Sequence, residues 1–170
     1  MRKFKRNKKI ALADQANNPG ALNVGRWSRR YGHVAEYTYQ GNTTAVFATR
    51  GHGIAALMEL ILDKLDYYGN VSVREYITGG DTIPASKSYS GGQKHYADSY
   101  LAAMRQKRVN VDGPLTGSIR QLKLLVNAHA FAEGAKRKNT PNDFNIAIAL
   151  LLERSPNLAK SELSKYTTLA

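Results

Sequence analysis

From Ile54 to Leu65 the apolar positions fall at three- and four-residue intervals: Ile54, Leu57, Met58, Ile61, Leu62 and Leu65. That period predicts an amphipathic helix with one broad apolar stripe. Thr49 stands where an N-cap is needed, and Gly69 where a helix stops. Upstream the period changes. Val34 to Tyr39 alternate apolar and polar, Gln40-Gly41-Asn42 is turn chemistry, and Thr43 to Ala48 is again strand-like. This pattern predicts a β-hairpin. Ser72-Val73-Arg74-Glu75 has the capping-box pattern and opens a short helix to Ile77. Gly79 to Gly92 is rich in Gly, Ser, Thr and Pro and reads as a long loop. Ala97, Tyr100, Leu101 and Met104 mark a helix from about Gln93 to Arg108. Leu115, Ile119, Leu122, Val126 and Ala130 mark another, with Pro114 at its start. Thr140-Pro141-Asn142-Asp143 opens a last helix, nearly all apolar from Ile146 to Leu152, which must pack on the core or on a partner. A loop, a hairpin and then several helices predict an α+β fold, mainly α.

Residues 1–14 read as a basic arm, 15–135 as the globular unit and 136–170 as a C-terminal helical extension. At 170 residues and 42% hydrophobic, the chain suits one compact domain with tails. No run of eighteen apolar residues is present, so no membrane span is expected. The charged N-terminus is followed by no apolar stretch, which argues against a secretory signal. The absence of cysteine excludes disulfides and thiolate metal sites.

Charge narrows the partners. Lysine and arginine total 25 against 13 acidic residues, a net charge of +12. That balance favours polyanions: nucleic acid, anionic lipid or the acidic polymers of a bacterial envelope. Arg2, Lys3, Lys5, Arg6, Lys8 and Lys9 concentrate in the arm around one aromatic, Phe4, and are the candidate residues for binding nucleic acid or another anion. A second cluster, Lys136-Arg137-Lys138, follows a predicted helix, where cations complement the macrodipole.

Candidate chemistry is sparse. The four histidines are widely spaced and form no His-Glu-x-x-His, so no metal is expected. No Gly-x-Ser-x-Gly elbow, P-loop or dinucleotide fingerprint occurs, so no cofactor is expected. Glycosidic cleavage needs a general acid of raised pKa and usually a second carboxylate. Glu36 lies in the hairpin among Tyr31, Tyr37 and Tyr39, and partial burial against such rings raises a carboxyl pKa. Its other reading is an exposed strand residue. Asp81, in the Gly-rich loop, is the second candidate, or else a turn residue. Glu59 and Asp63 lie one helical turn apart on what reads as a solvated polar face. His129 falls beside its helix's apolar stripe and reads as a packed or half-exposed histidine. Tyr37, Tyr39, Tyr67, Tyr68, Tyr89, Tyr96 and Tyr100 either line a groove or pack at the core's edge.

Several spaced motifs carry a resemblance. Asn17-Asn18-Pro19-Gly20-Ala21-Leu22 resembles the Asn-Asn-Pro-Gly-Asn-Ile/Leu opening of a family of lysozyme-like phage proteins, with Trp27 where members carry a Trp. Ala45 to Thr49 followed by Gly53-Ile54-Ala55-Ala56-Leu57 is similar to its strand-to-helix junction. Asn70 to Val73 with Tyr76-Ile77, the helix around Tyr100, and Ala130 to Gly134 match its later segments in order. The resemblance covers roughly residues 15–135. It implies a lysozyme-like domain in a virion-associated peptidoglycan hydrolase of glycosidase or muramidase type. Its partners would be bacterial peptidoglycan and other virion proteins. On this reading Glu36 and Asp81 act on substrate that Asn17, Asn18, Trp27, Tyr37, Tyr39 and Tyr100 bind.

This chain departs from the family pattern at Ala21, which replaces Asn, and in Gln40 to Thr44, which lacks an acidic residue. His95-Tyr96-Ala97 stands for Asn-Asp-Thr, and Glu133-Gly134 lacks the intervening Asn. Each change removes a polar group. Two further readings therefore stand beside the hydrolase: an inactive virion component on the same scaffold, and nucleic-acid binding through the arm.

Overall fold

The structure, a computed structural model, describes residues 2–155. The side chains of Arg2 and Lys3, and residues 156–170 of the expected extension, lie outside the described residues. In chain order the elements are β1 (Arg2–Lys3), α1 (Leu12–Gln15), α2 (Arg26–Arg30), β2 (His33–Tyr39), β3 (Asn42–Phe47), α3 (Arg50–Tyr68), α4 (Val73–Thr78), α5 (Lys94–Gln106), α6 (Ile119–Ala132) and α7 (Pro141–Arg154). Helix takes 51% of the described residues, so the α+β, mainly α class holds.

Helix α3 is the axis of the fold. The Thr49 side chain accepts from the His52 N–H and opens it, and Gly69, at φ +73°, closes it. Helices α2, α6 and α7 and strand β3 all pack on it. Burial therefore runs right round its first three turns instead of along one stripe. Two glycines in the first turn allow this approach. A methyl at Gly51 would meet Ile146 of α7 at 2.5 Å, and one at Gly53 would lie 1.9 Å from the Asn17 carbonyl oxygen. Arg50, also buried, donates to the Ala13 carbonyl (2.6 Å) and to Asn139 (2.7 Å), tying both flanking segments to the helix.

The hairpin forms as its pattern predicts. Gln40 and Gly41 both take positive φ (47° and 80°), the geometry of a two-residue type I′ turn that matches strand twist. Strand β1 adds to β2 in parallel. Phe4 packs edge-on against Tyr37, and the Arg6 guanidinium lies 5.4 Å over the same ring. The arm is thus docked on the hairpin as far as Arg6, while Lys5, Lys8 and Lys9 stay exposed.

Two expectations shift. Helix α6 starts at Ile119 and not at Pro114, because Gly117 turns through positive φ and Ser118 caps the helix by accepting from Gln121 N–H. Leu115 before it pairs in extended form with Val71. Helix α7 belongs to the main core: Phe144, Ala147, Leu150 and Leu151 are buried in it, so the core crosses the boundary drawn at 135. Among the described residues no helix is long and apolar enough to cross a membrane.

Candidate functional site

The Asn-Asn-Pro-Gly turn is built from the inside. Asn18 is fully buried; its amide donates to the carbonyls of Leu22 (2.9 Å) and Ala45 (2.8 Å), and its oxygen accepts from Leu22 N–H (2.9 Å). Asn17 donates to the Phe47 carbonyl (3.1 Å) and accepts from Arg137 (3.3 Å). Both asparagines brace the loop against β3. Asn18, with no exposed surface, is therefore corrected from a substrate ligand to a scaffold residue. The loop's outer side is the part open to a ligand.

That side forms one wall of a groove of about 400 Å³. The backbone of residues 20–25 faces Trp27, Tyr89, Tyr96, Lys64 and Lys87 across it, with Leu60 of α3 also lining it. Tyr89 donates to the Gly20 carbonyl and ties the long loop to the turn. An adjoining hollow of about 260 Å³ shares Trp27, Lys64 and Lys87 and adds Asp63, Tyr67 and Tyr68. Trp27 is pinned: its indole N–H donates to Asp63, and the Arg26 guanidinium lies over its ring at 4.8 Å while pairing with Asp63 at 2.9 Å. The Lys64 ammonium donates to the Lys87 carbonyl (2.6 Å), and burial lowers its pKa, with Lys87 and Arg26 adding to the effect.

Ala21 lines this groove at φ +47°, the left-handed region that disfavours Ala and that Asn tolerates. The backbone thus explains why an Asn suits this position. Ala21→Asn is expected to stabilise the protein by about 0.5–1 kcal/mol, read as a raised midpoint in urea. An unchanged or lowered midpoint counts against the strain.

Neither predicted catalytic carboxylate lies in the groove. Glu36 sits half-exposed on β2, 3.3 Å from His33 Nε2, and Asp81 is exposed in its loop. Tyr31, expected beside Glu36, turns the other way into the core and donates to Glu59. Tyr100 is buried and so is no substrate contact, Tyr37 is covered by the arm, and Tyr39 is exposed next to the hairpin turn. Of the substrate-binding residues that the resemblance implies, Trp27 alone reaches the groove; of the tyrosines read as candidates to line one, Tyr89 and Tyr96 do so, and Tyr67 and Tyr68 line the adjoining hollow.

Two carboxylates are built in: Glu59, against the solvated face its helix pattern predicts, and Glu133, which is hydrogen-bonded at the end of α6. Glu59 has no exposed surface; it accepts from Arg30 (2.7 Å) and Tyr31 (3.1 Å). Burial pushes its carboxyl up, and hydrogen bonds from Ser155 and Tyr31 and the Arg30 charge pull against that rise. Glu133 accepts from both Tyr96 and Tyr100. Burial raises its pKa too, while the two tyrosines act to lower it. Tyr96 thus touches Glu133 on one side and the groove on the other. Beneath lies an aromatic cluster, Tyr76, Tyr89 and Tyr100 around the fully buried His129. The resemblance pointed to Glu133 by its place in the closing motif; nothing in the pattern of the chain pointed to Glu59 as buried.

The chain matches no family model, and neither a curated protein nor a solved structure shows significant similarity to it.

Proposed function

We propose that this is a virion component that uses a lysozyme-like scaffold to grip peptidoglycan strands in the Trp27–Tyr89–Tyr96 groove. The motif resemblance supplies the virion and the polymer. The observation that carries the reading is the groove's chemistry: a pinned indole and two tyrosines for sugar faces, with Lys64 and Lys87 for the carboxylates of an acidic glycopeptide. No carboxylate is among the residues that line the main groove, which favours binding over cleavage.

The test is co-sedimentation with purified cell walls. Wild type is expected to pellet with them without clearing them. Trp27→Ala is expected to weaken retention about tenfold, the effect of losing a central aromatic anchor. Full retention by that variant refutes the groove.

One observation favours a second reading, hydrolysis. Glu133 has the raised pKa a general acid needs and lies directly behind Tyr96. Clearing of cell walls by wild type, lost in Glu133→Gln, would establish that reading and displace the first.

A further inference from the structure

A second cavity, of about 410 Å³, shares no residue with the groove. It opens between α6 and the segment after it, and its rim is cationic: Lys107 from the end of α5, then Lys136, Arg137 and Lys138. No carboxylate lines it. The macrodipole of α6 does not account for these charges. That helix ends at Ala132, and the dipole's effect is confined to the last turn.

The segment carrying the cations is fixed in place. Asp14 accepts from the backbone N–H groups of Lys136 (2.6 Å) and Arg137 (3.1 Å). Asn139 donates to Asn127 (2.8 Å) and accepts from Arg50 (2.7 Å). Arg137 is itself committed to Asp143 and Asn17. Lys107, Lys136 and Lys138 have no acidic partner among the described residues. Among them stands Phe131, 39% exposed, with the Lys107 ammonium held 4.4 Å over its ring. An exposed aromatic set among cations without acidic partners, on a backbone held in place, is the pattern by which proteins hold single strands: phosphates on the cations, a base against the ring. A pocket of this volume admits a nucleotide and is too small for a duplex.

We propose that this cavity binds single-stranded nucleic acid, with its phosphates on Lys107, Lys136 and Lys138 and one base against Phe131. The site shares no lining residue with the groove and none with the cations of the arm. An acidic peptide would meet the same cations, but it would leave Phe131 without a planar partner.

The experiment is fluorescence anisotropy of a labelled oligothymidine against salt. Wild type is compared with the triple variant Lys107→Ser/Lys136→Ser/Lys138→Ser, with Phe131→Ala, and with Lys5→Ser/Lys8→Ser/Lys9→Ser in the arm. The pocket triple is expected to bind at least about tenfold more weakly. Its slope of log affinity against log salt should be shallower by about 2, from three lost phosphate contacts. Phe131→Ala is expected to lose about fivefold or more with the slope unchanged. Wild-type affinity in the pocket triple, with loss in the arm triple, overturns the proposal and assigns binding to the arm. Equal competition by polyglutamate or inorganic polyphosphate, with no effect of Phe131→Ala, also overturns it, leaving a charge patch that holds no base.

Discussion

Gly53→Ala is expected to destabilise the protein by roughly 3 kcal/mol or more, lowering its melting temperature by about 10 °C. The sign opposes the usual rule. In a helix interior, Ala replacing Gly normally stabilises by about 0.5–1 kcal/mol, because it restricts the unfolded chain. At this position the added methyl would lie 1.9 Å from the Asn17 carbonyl oxygen and 3.2 Å from the Asn18 Cα. The obstacle is backbone and has no flexible end to swing aside. Asn17 itself sits at φ +51°, held by its bonds to the carbonyls of Phe47 and Ala48, and Asn18 is fixed by three buried hydrogen bonds. Retreat of the turn would break bonds in a buried place, where an unsatisfied group costs about 1–3 kcal/mol. Thermal unfolding followed by circular dichroism measures the effect. A variant melting within about 2 °C of wild type, less than one kcal/mol for a chain of this size, would sink the argument.

The same contact explains why two motifs far apart in the chain belong together. The turn at 17–20 and the glycine at 53 form one packing pair: the turn lies on the first turn of α3, and only a residue without a side chain allows it. The motif spacing is thus a statement about backbone approach and carries no chemistry by itself.

The hairpin, α3, α4, α5 and the capped start of α7 were legible in the sequence because each has a period or a cap of its own. Thr49, Ser72 and Thr140 all accept the hydrogen bonds their positions predict. The elements β1, α1 and α2 were not legible, since runs of two to five residues are too short to show a period. The candidate site failed for a different reason. A stripe on α3 implied an opposite face in water, and so Glu59 read as solvated. A helix enclosed on several sides has no such face. Its polar residues must then be paired, as Glu59 is with Arg30 and Tyr31. Likewise Tyr31 and Glu36 are near in sequence, but Tyr31 ends α2 and packs into the core, while Glu36 stands half-exposed on β2 beyond the irregularity between His33 and Ala35. The groove joins residues 20–25, Trp27, Leu60, Lys64, residues 86–89 and Tyr96, a set that only the tertiary fold assembles.

His129 supplies the second large effect, in the response to acid. It is fully buried among Tyr76, Tyr89 and Tyr100, with Nε2 3.1 Å from the Tyr76 hydroxyl. Burial alone lowers its pKa from the ordinary 6.5 to about 3. A depressed folded pKa means that the unfolded chain takes up the proton first. The contribution is therefore present above pH 6.5 and is lost progressively as the pH falls toward 3, at about 1.4 kcal/mol per unit. Between pH 7 and pH 4.5 the loss from this residue is expected to reach about 2–3 kcal/mol. Glu59 and Glu133 act in the opposite sense. Their raised folded pKa values give stability that is present in acid and lost as pH rises through them, so acidification favours the fold at those two sites. The whole-protein curve mixes these signs. Comparison with His129→Gln isolates one of them, since Gln keeps an acceptor for Tyr76 and cannot take up the proton. Urea unfolding at pH 7 and pH 4.5 should show a smaller loss in the variant than in wild type, by the same 2–3 kcal/mol. Equal losses in the two proteins would mean that His129 is protonated in the folded state, and the tyrosine cage would then have to open to water in mild acid. That cage carries Tyr100, which holds Glu133, and Tyr89, which ties the long loop to the turn. Its opening would reach both walls of the groove.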